Sequence, residues 1–167
     1  MAEISLDDFD YDDTKSKDEN AEALIAIAIG TTAVAGFFDP TPGGIDVPVI
    51  IGAWATMLAG MANIYGMDFD RNNFTRVASA GLGSAGMFTL GTKALTWILK
   101  MTGFGWIAGG GINAFLNGIF TWRVGRAYQK AFKNKGDLTP EEFFDLLTAS
   151  ITFVDVTSVW KYIKNLF

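Results

Sequence analysis

Four long runs without a single charged side chain dominate this 167-residue chain: residues 23–38, 47–67, 77–92 and 101–122. They are 16, 21, 16 and 22 residues long. About 20 apolar residues cross a hydrocarbon layer as a helix, so the second and fourth runs qualify on length. At about 1.5 Å per residue, the two 16-residue runs reach only about 24 Å. The third run extends to Leu99 if Lys93 snorkels to the interface, which leaves the first as the marginal one. A soluble bundle can hide one helix that is apolar all round, but four charge-poor segments are harder to bury in so short a chain.

Loop chemistry separates the runs and pairs them. Asp39-Pro-Thr-Pro-Gly-Gly-Ile-Asp46 reads as a turn, with Asp46 placed to cap the second helix and Pro48 in its first turn. Gly66-Met-Asp-Phe-Asp-Arg-Asn-Asn73 ends that helix and starts the third, and Thr102-Gly-Phe-Gly105 precedes the fourth run. The expected fold is all-α: a Gly-rich bundle of two helical hairpins plus a C-terminal amphipathic helix, associated with a membrane. Residues 1–20 are expected to form an acidic disordered tail, 21–136 the hairpin bundle and 137–167 the C-terminal segment.

Charge is divided unevenly. Residues 1–22 carry nine acids against two lysines, and residues 23–167 carry nine acids against eleven bases. An acidic segment of this kind repels itself and has little apolar mass to pack. It is also the wrong sign for a secretory leader. Loop 39–46 has no Lys or Arg, while loop 68–76 has Arg71 and Arg76 and segment 123–135 has five bases. The positive-inside rule therefore favours the cytoplasmic membrane with both termini in the cytoplasm, or a cytoplasmic protein that binds the membrane reversibly.

Composition excludes much of catalysis. With no Cys and no His, there is no thiolate nucleophile, no Ser-His-Asp arrangement and no His-ligated metal. The acids of the turns are explained by capping. No catalytic residue, cofactor or metal site is expected, and a short basic stripe in a chain of net charge −5 makes nucleic acid a poor partner.

Three groups of residues in and around the fourth run stand out. Gly110, Ala114 and Gly118 recur every four residues, a small-residue stripe that lets another helix approach closely. Ala80-Gly-Leu-Gly-Ser-Ala-Gly86 offers a matching surface on the third run, and the same stripe suits a homo-oligomer. Asn113 and Asn117, with Asn63 on the second run, are amides that bridge helices or line a polar path inside the membrane. Beyond Trp122, Arg123, Arg126, Lys130 and Lys133 form a basic face suited to anionic lipid headgroups. Finally, Leu138-Thr-Pro-Glu-Glu142 predicts a capping box, with Thr139 as N-cap, Pro140 at N1 and Glu142 at N3. Phe143, Phe144, Leu147, Ile151 and Val154 follow at helical spacing, and Asp155 is placed to cap a further turn through Val159, Trp160 and Ile163.

Several segments together resemble a known family. They are Asp39-Pro-Thr-Pro-Gly-Gly-Ile-Asp-Val-Pro48, Ile64-Tyr-Gly66, Ile107-Ala-Gly-Gly-Gly-Ile-Asn113, Val124-Gly-Arg-Ala-Tyr-Gln-Lys-Ala-Phe132 and Leu138-Thr-Pro-Glu-Glu142. In this order they resemble the GTPase-associated bacterial membrane proteins of unknown function, the YcjF-like family, over roughly residues 25–150. Gly-Gly-Ile-Asn before a helix is also similar to the EcsC-like family. The resemblance implies an all-helical, membrane-associated module working with a GTPase. No GTPase lies within these 167 residues, so a separate one is the implied partner beside the membrane lipids. A pore-forming protein, a small channel or toxin whose Gly-rich hairpin inserts into the membrane, is the alternative.

Overall fold

The computed structural model describes residues 9–38, 46–83 and 110–152, with isolated helical positions at Lys161 and Lys164. The described residues form five helices and no strand, so the fold is all-α. These are α1 (Lys17–Phe38), α2 (Asp46–Tyr65), α3 (Arg71–Gly83), α4 (Gly110–Asn134) and α5 (Pro140–Thr152). The helical turn expected after Asp155 and most of the third run lie outside the described residues.

Local chemistry fixes the helix ends. Ser16 and Glu19 form a reciprocal capping box at the start of α1: the Ser16 N–H donates to Glu19 Oε2 at 2.8 Å and the Glu19 N–H to Ser16 Oγ at 3.2 Å. Asp70 caps α3, accepting the Asn73 N–H at 2.9 Å. Thr139 and Glu142 make the box predicted for α5, at 3.1 and 3.3 Å. α2 stops where the sequence says it should. Gly66 takes φ +74°, and the Met67 N–H reaches Ala62 O while the Gly66 N–H reaches Asn63 O, which is a Schellman close.

Lys135, just past α4, reaches across to pair with Glu142. That ammonium, together with the Thr139 N–H, holds the Glu142 carboxyl below its ordinary value of 4.5. A carboxyl depressed in the folded state stabilises the fold above its unfolded pKa, and the contribution is lost as pH falls through the folded value. Lys135→Ala is therefore expected to move the Glu142 titration up toward 4.5 and to shrink this acid-side loss. A carboxyl-detected NMR titration of the two chains reads the shift directly.

α1 runs antiparallel to both α2 and α4, and its longest seam is with α4. Leu24 packs on Gly60 of α2, Ile25 packs on Gly125 of α4, and Gly36 meets Asn113 and Asn117. The core between the three helices holds Leu24, Trp54, Leu58, Met61, Leu116 and Phe120, all at most 1% exposed. α5 packs antiparallel on α4 through Leu147 and Ile151, and the Tyr128 hydroxyl donates to Phe143 O at 2.6 Å. α3 lies against α2 and α5.

Among the described residues the close partner of α4 is α1, and the expected packing of the fourth run on the third falls largely outside them. One expectation changes here: residues 9–20, placed in a disordered acidic tail, are folded onto the bundle. Asn20 is buried, donates to Asp12 O at 3.0 Å and accepts the Asp12 N–H at 2.9 Å. Asp12 in turn accepts the Thr14 N–H and hydroxyl, and Phe9 packs on the core. Local hydrogen bonds thus give the acids of this segment structural work that net charge alone does not reveal.

Candidate functional site

Charge and apolar surface are placed at opposite ends of the bundle. Residues 23–38 of α1, 47–65 of α2 and 110–122 of α4 carry no charge. Because α1 is antiparallel to the other two, the charges of α1 and α4 gather at one end, and Asp46, the first residue of α2, is the one charge of these three helices at the other. Arg126 of α4 pairs with Glu22 of α1 at 2.7 Å, and Lys133 pairs with Asp18. Asp18 also accepts the Tyr65 hydroxyl of α2 at 2.6 Å, and Gln129 donates to Asp18 O at 3.3 Å. These pairs are about half exposed, so each adds at most about 1 kcal/mol. Their information is positional: they tie three helices at one level.

Apart from Asp46, the side chains described at the opposite end of these helices are largely apolar. Val34, Phe37 and Phe38 at the end of α1 and Val49 at the start of α2 are all exposed. They account for four of the six large exposed hydrophobics among the described residues. α1 and α2 are long and apolar enough to cross a membrane, and only a third of the apolar window of α1 is buried in the protein, against 56% for α2. The first run, expected to be marginal at 16 residues, belongs to a 22-residue helix about 33 Å long. The half-buried Trp122 stands at the level where charge begins on α4, as interfacial aromatics do.

The residues singled out in the sequence separate on this frame. Asn113 and Asn117 are both buried; Asn117 Nδ2 donates to Thr32 O of α1 at 3.2 Å, and the Asn113 backbone meets Gly36 of α1. Asn63 is exposed near the charged end of α2 and belongs to no buried amide group. It borders an open pocket with Leu24 of α1 and with Phe9 and Tyr11 of the N-terminal segment. Of the small-residue stripe, Gly118 is buried and Ala114 half-buried, while the side-chain setting of Gly110 lies outside the described residues.

The basic stripe is not one outward face. Arg126 and Lys133 turn to the acids of α1, Arg123 Nη2 reaches Ala149 O of α5 at 3.5 Å, and Lys130 alone is fully solvent-facing. Two of the four bases expected to meet anionic headgroups are thus engaged by the chain's own carboxylates, which lie more than 100 positions away in sequence.

Sequence reasoning missed a buried polar triad. Trp54 Nε1 donates to Thr121 Oγ1 at 2.8 Å, and Thr121 and Thr32 share a hydroxyl–hydroxyl bond, also of 2.8 Å. It joins α1, α2 and α4 in the middle of the charge-free layer. Hydroxyls and an indole N–H inside apolar runs were the available signal, since each needs a partner once buried.

Among the described residues, no group of three His, Cys, Asp or Glu is placed to hold a metal ion. The described residues present an all-helical module with one strongly charged and one largely apolar end. The family described as Domain of unknown function (DUF697) matches residues 9–150, and the chain belongs to that family. The match begins at Phe9, the first of the described residues. No curated protein and no solved structure matches the chain.

Proposed function

We propose that this chain is a non-enzymatic, membrane-associated helical module that serves as an adaptor or membrane-remodelling partner of a separate GTPase. In this reading the apolar end sits in the bilayer, and the charged end, with both termini, stays in the cytoplasm. The observation that carries the membrane part is the charge-free layer shared by α1, α2 and α4, with every charge on α1 and α4 at one end of the bundle and only Asp46, the first residue of α2, at the other. The resemblance to GTPase-associated membrane proteins supports the partner. The pore reading has less in its favour, because both amides of the Asn pair are buried and Asn117 is bonded to Thr32 of α1. Assembly through the Gly110, Ala114 and Gly118 stripe likewise competes with the burial of Gly118 inside the chain.

The charge-free layer from Glu22 to Phe38 is about 24 Å deep, slightly thinner than a typical hydrocarbon core of about 30 Å. Local thinning of the bilayer accommodates such a difference at modest cost. Gly30 offers a clean test, because it lies in this layer on the exposed side of α1 with nothing within 4 Å of an added Cβ. A lysine there is compatible with the fold in water but costs about 2.5–3.5 kcal/mol near the middle of a membrane.

The wild-type chain is expected to float with liposomes through a density gradient and to resist a carbonate wash. Gly30→Lys is expected to reduce the bound fraction sharply while keeping its helical circular dichroism. A wild-type chain that stays at the bottom of the gradient with both anionic and neutral liposomes overturns the membrane reading. Failure to crosslink to any GTPase in the source cell overturns the adaptor role.

A further inference from the structure

At the charged end, the loop between α2 and α3 meets the loop between α4 and α5. Gly136, at φ +84°, comes close to Met67, and the Asp68 N–H donates to Asp137 Oδ1 at 3.2 Å. Between the two loops is an open groove of about 440 Å³. Its floor is aromatic: the rings of Phe69, Phe74 and Phe143 lie 5.5–5.8 Å from one another, and Leu138 and Val77 continue the apolar wall. Phe74 is buried, but Phe69 and Phe143 are only half-buried, so part of the floor faces solvent.

The rim is acidic. Asp68, Asp70 and Asp137 all border the groove, all are exposed, and none has an ion pair among the described residues. This contrasts with Asp12, Asp18, Glu22 and Glu142 elsewhere at the same end, each paired with a lysine or arginine. Of the two bases on α3, Arg76 donates to Asn73 Oδ1 at 2.9 Å and Arg71 to Thr56 Oγ1 at 2.7 Å. Three unpaired carboxylates around an apolar floor repel one another and leave exposed aromatic surface uncovered. Both costs fall when something cationic at its edges and apolar at its centre fills the groove.

We propose that this groove docks a partner protein through a segment with one or two large apolar side chains flanked by Lys or Arg. The apolar anchors would cover Phe69 and Phe143, and the flanking bases would meet Asp68 and Asp137. A bare cation does not use the aromatic floor, and two of the three carboxylates already accept backbone N–H groups. Anionic headgroups are repelled by the rim. The volume suits the anchors of an amphipathic helix laid into a groove. The groove lies at the end away from Val34, Phe37 and Phe38, so this proposal stands independently of how the apolar end is seated.

The test uses the full chain in a mild non-ionic detergent, with binding read by fluorescence anisotropy against detergent-only blanks. Three labelled 15-residue peptides serve as probes: an amphipathic Lys/Leu/Ala helix with one central Trp, its analogue with Lys replaced by Glu, and its analogue with Leu and Trp replaced by Ala. The first is expected to bind, and the other two at least tenfold more weakly. The variant Asp68→Lys with Asp137→Asn, which keeps the acceptor for the Asp68 N–H, is expected to weaken the first peptide at least tenfold. Asp10→Lys with Asp13→Asn makes the same change of charge on the exposed N-terminal segment and is expected to leave binding within twofold. Equal binding by the anchorless peptide, equal loss in both charge variants, or no binding of the first peptide overturns the proposal. So does a dimer in sedimentation velocity that only the Asp68 variant dissolves, since the occupant would then be a second copy of this chain.

Discussion

Gly36→Leu is expected to destabilise the full chain by about 3 kcal/mol, the upper part of the usual range for overpacking a close contact. At about 2–4 °C per kcal/mol for a chain of this size, the thermal midpoint falls by about 6–12 °C. The reason is the approach of two backbones. A Cβ at Gly36 would come within 2.4 Å of Asn117 Nδ2 and 2.9 Å of the Asn113 carbonyl carbon and oxygen. The amide of Asn117 can rotate away only by giving up its bond to Thr32 O, and the Asn113 backbone cannot yield without parting the helices. Gly36→Ala shows the same sign with a smaller net loss, because alanine recovers about 1 kcal/mol of helix propensity. Gly30→Ala supplies the contrast: that site is open, so the propensity gain stands alone and the midpoint rises. Melts of the three chains followed by circular dichroism decide it. Equal behaviour of Gly36→Ala and Gly30→Ala would mean that α1 and α4 do not cross as closely as described.

Features set by neighbours in sequence were legible before any coordinates. The α5 capping box needs only Thr139 and Glu142, three positions apart, and the end of α2 needs only Gly66 after an apolar helix. The all-helical class follows from charge-free runs too long for strands and punctuated by Gly and Pro. Features set by distant neighbours were not legible. The pairing of Arg126 with Glu22 and of Lys133 with Asp18 depends on α1 and α4 running antiparallel in one register, and no local pattern specifies that register. For the same reason the close approach of Gly36 to Asn113 and Asn117 was not legible: it is a single glycine near the end of α1, and nothing in its surroundings in sequence marks it as a helix contact. The folded N-terminal segment lies between these cases. Its net charge pointed to a solvated tail, yet Ser16 and Glu19 have capping-box spacing and mark a helix start at Lys17.

These corrections sharpen how the charged end works. Had the basic stripe faced outward as one surface, four bases near an anionic bilayer would add about 1 kcal/mol each. With Arg126 and Lys133 held by α1, the electrostatic attraction left to Lys130 and its neighbours is modest. Membrane affinity then has to come chiefly from burying Val34, Phe37, Phe38 and Val49 and the exposed side of α1. Flotation should accordingly depend weakly on salt and strongly on Gly30→Lys.

Thr121→Val is expected to cost about 1–3 kcal/mol although it exchanges side chains of nearly the same shape, because it removes the acceptor of a fully buried donor. Trp54 is 0% exposed, and its indole N–H has Thr121 Oγ1 as partner. Thr32 loses less, since its hydroxyl keeps Ala28 O at 3.0 Å. Trp54→Phe removes the orphaned donor along with part of the ring, so the double variant Thr121→Val/Trp54→Phe should be less destabilised than the two single losses added together. A double-mutant cycle on urea melts measures that coupling, expected at about 1 kcal/mol or more. A neutral Thr121→Val with zero coupling would show that the bond contributes nothing. Trp54→Ala, by contrast, empties a large core volume and is expected to lose about 3–5 kcal/mol, a substantial part of the whole stability of a domain. The polar triad sits where hydroxyls and an indole N–H have no water to turn to, in the layer proposed to lie within lipid. An apolar core alone resists sliding of one helix past another only weakly there, because lipid tails solvate apolar side chains equally well. One satisfied polar junction among α1, α2 and α4 fixes their relative heights, and with them the level at which charge begins.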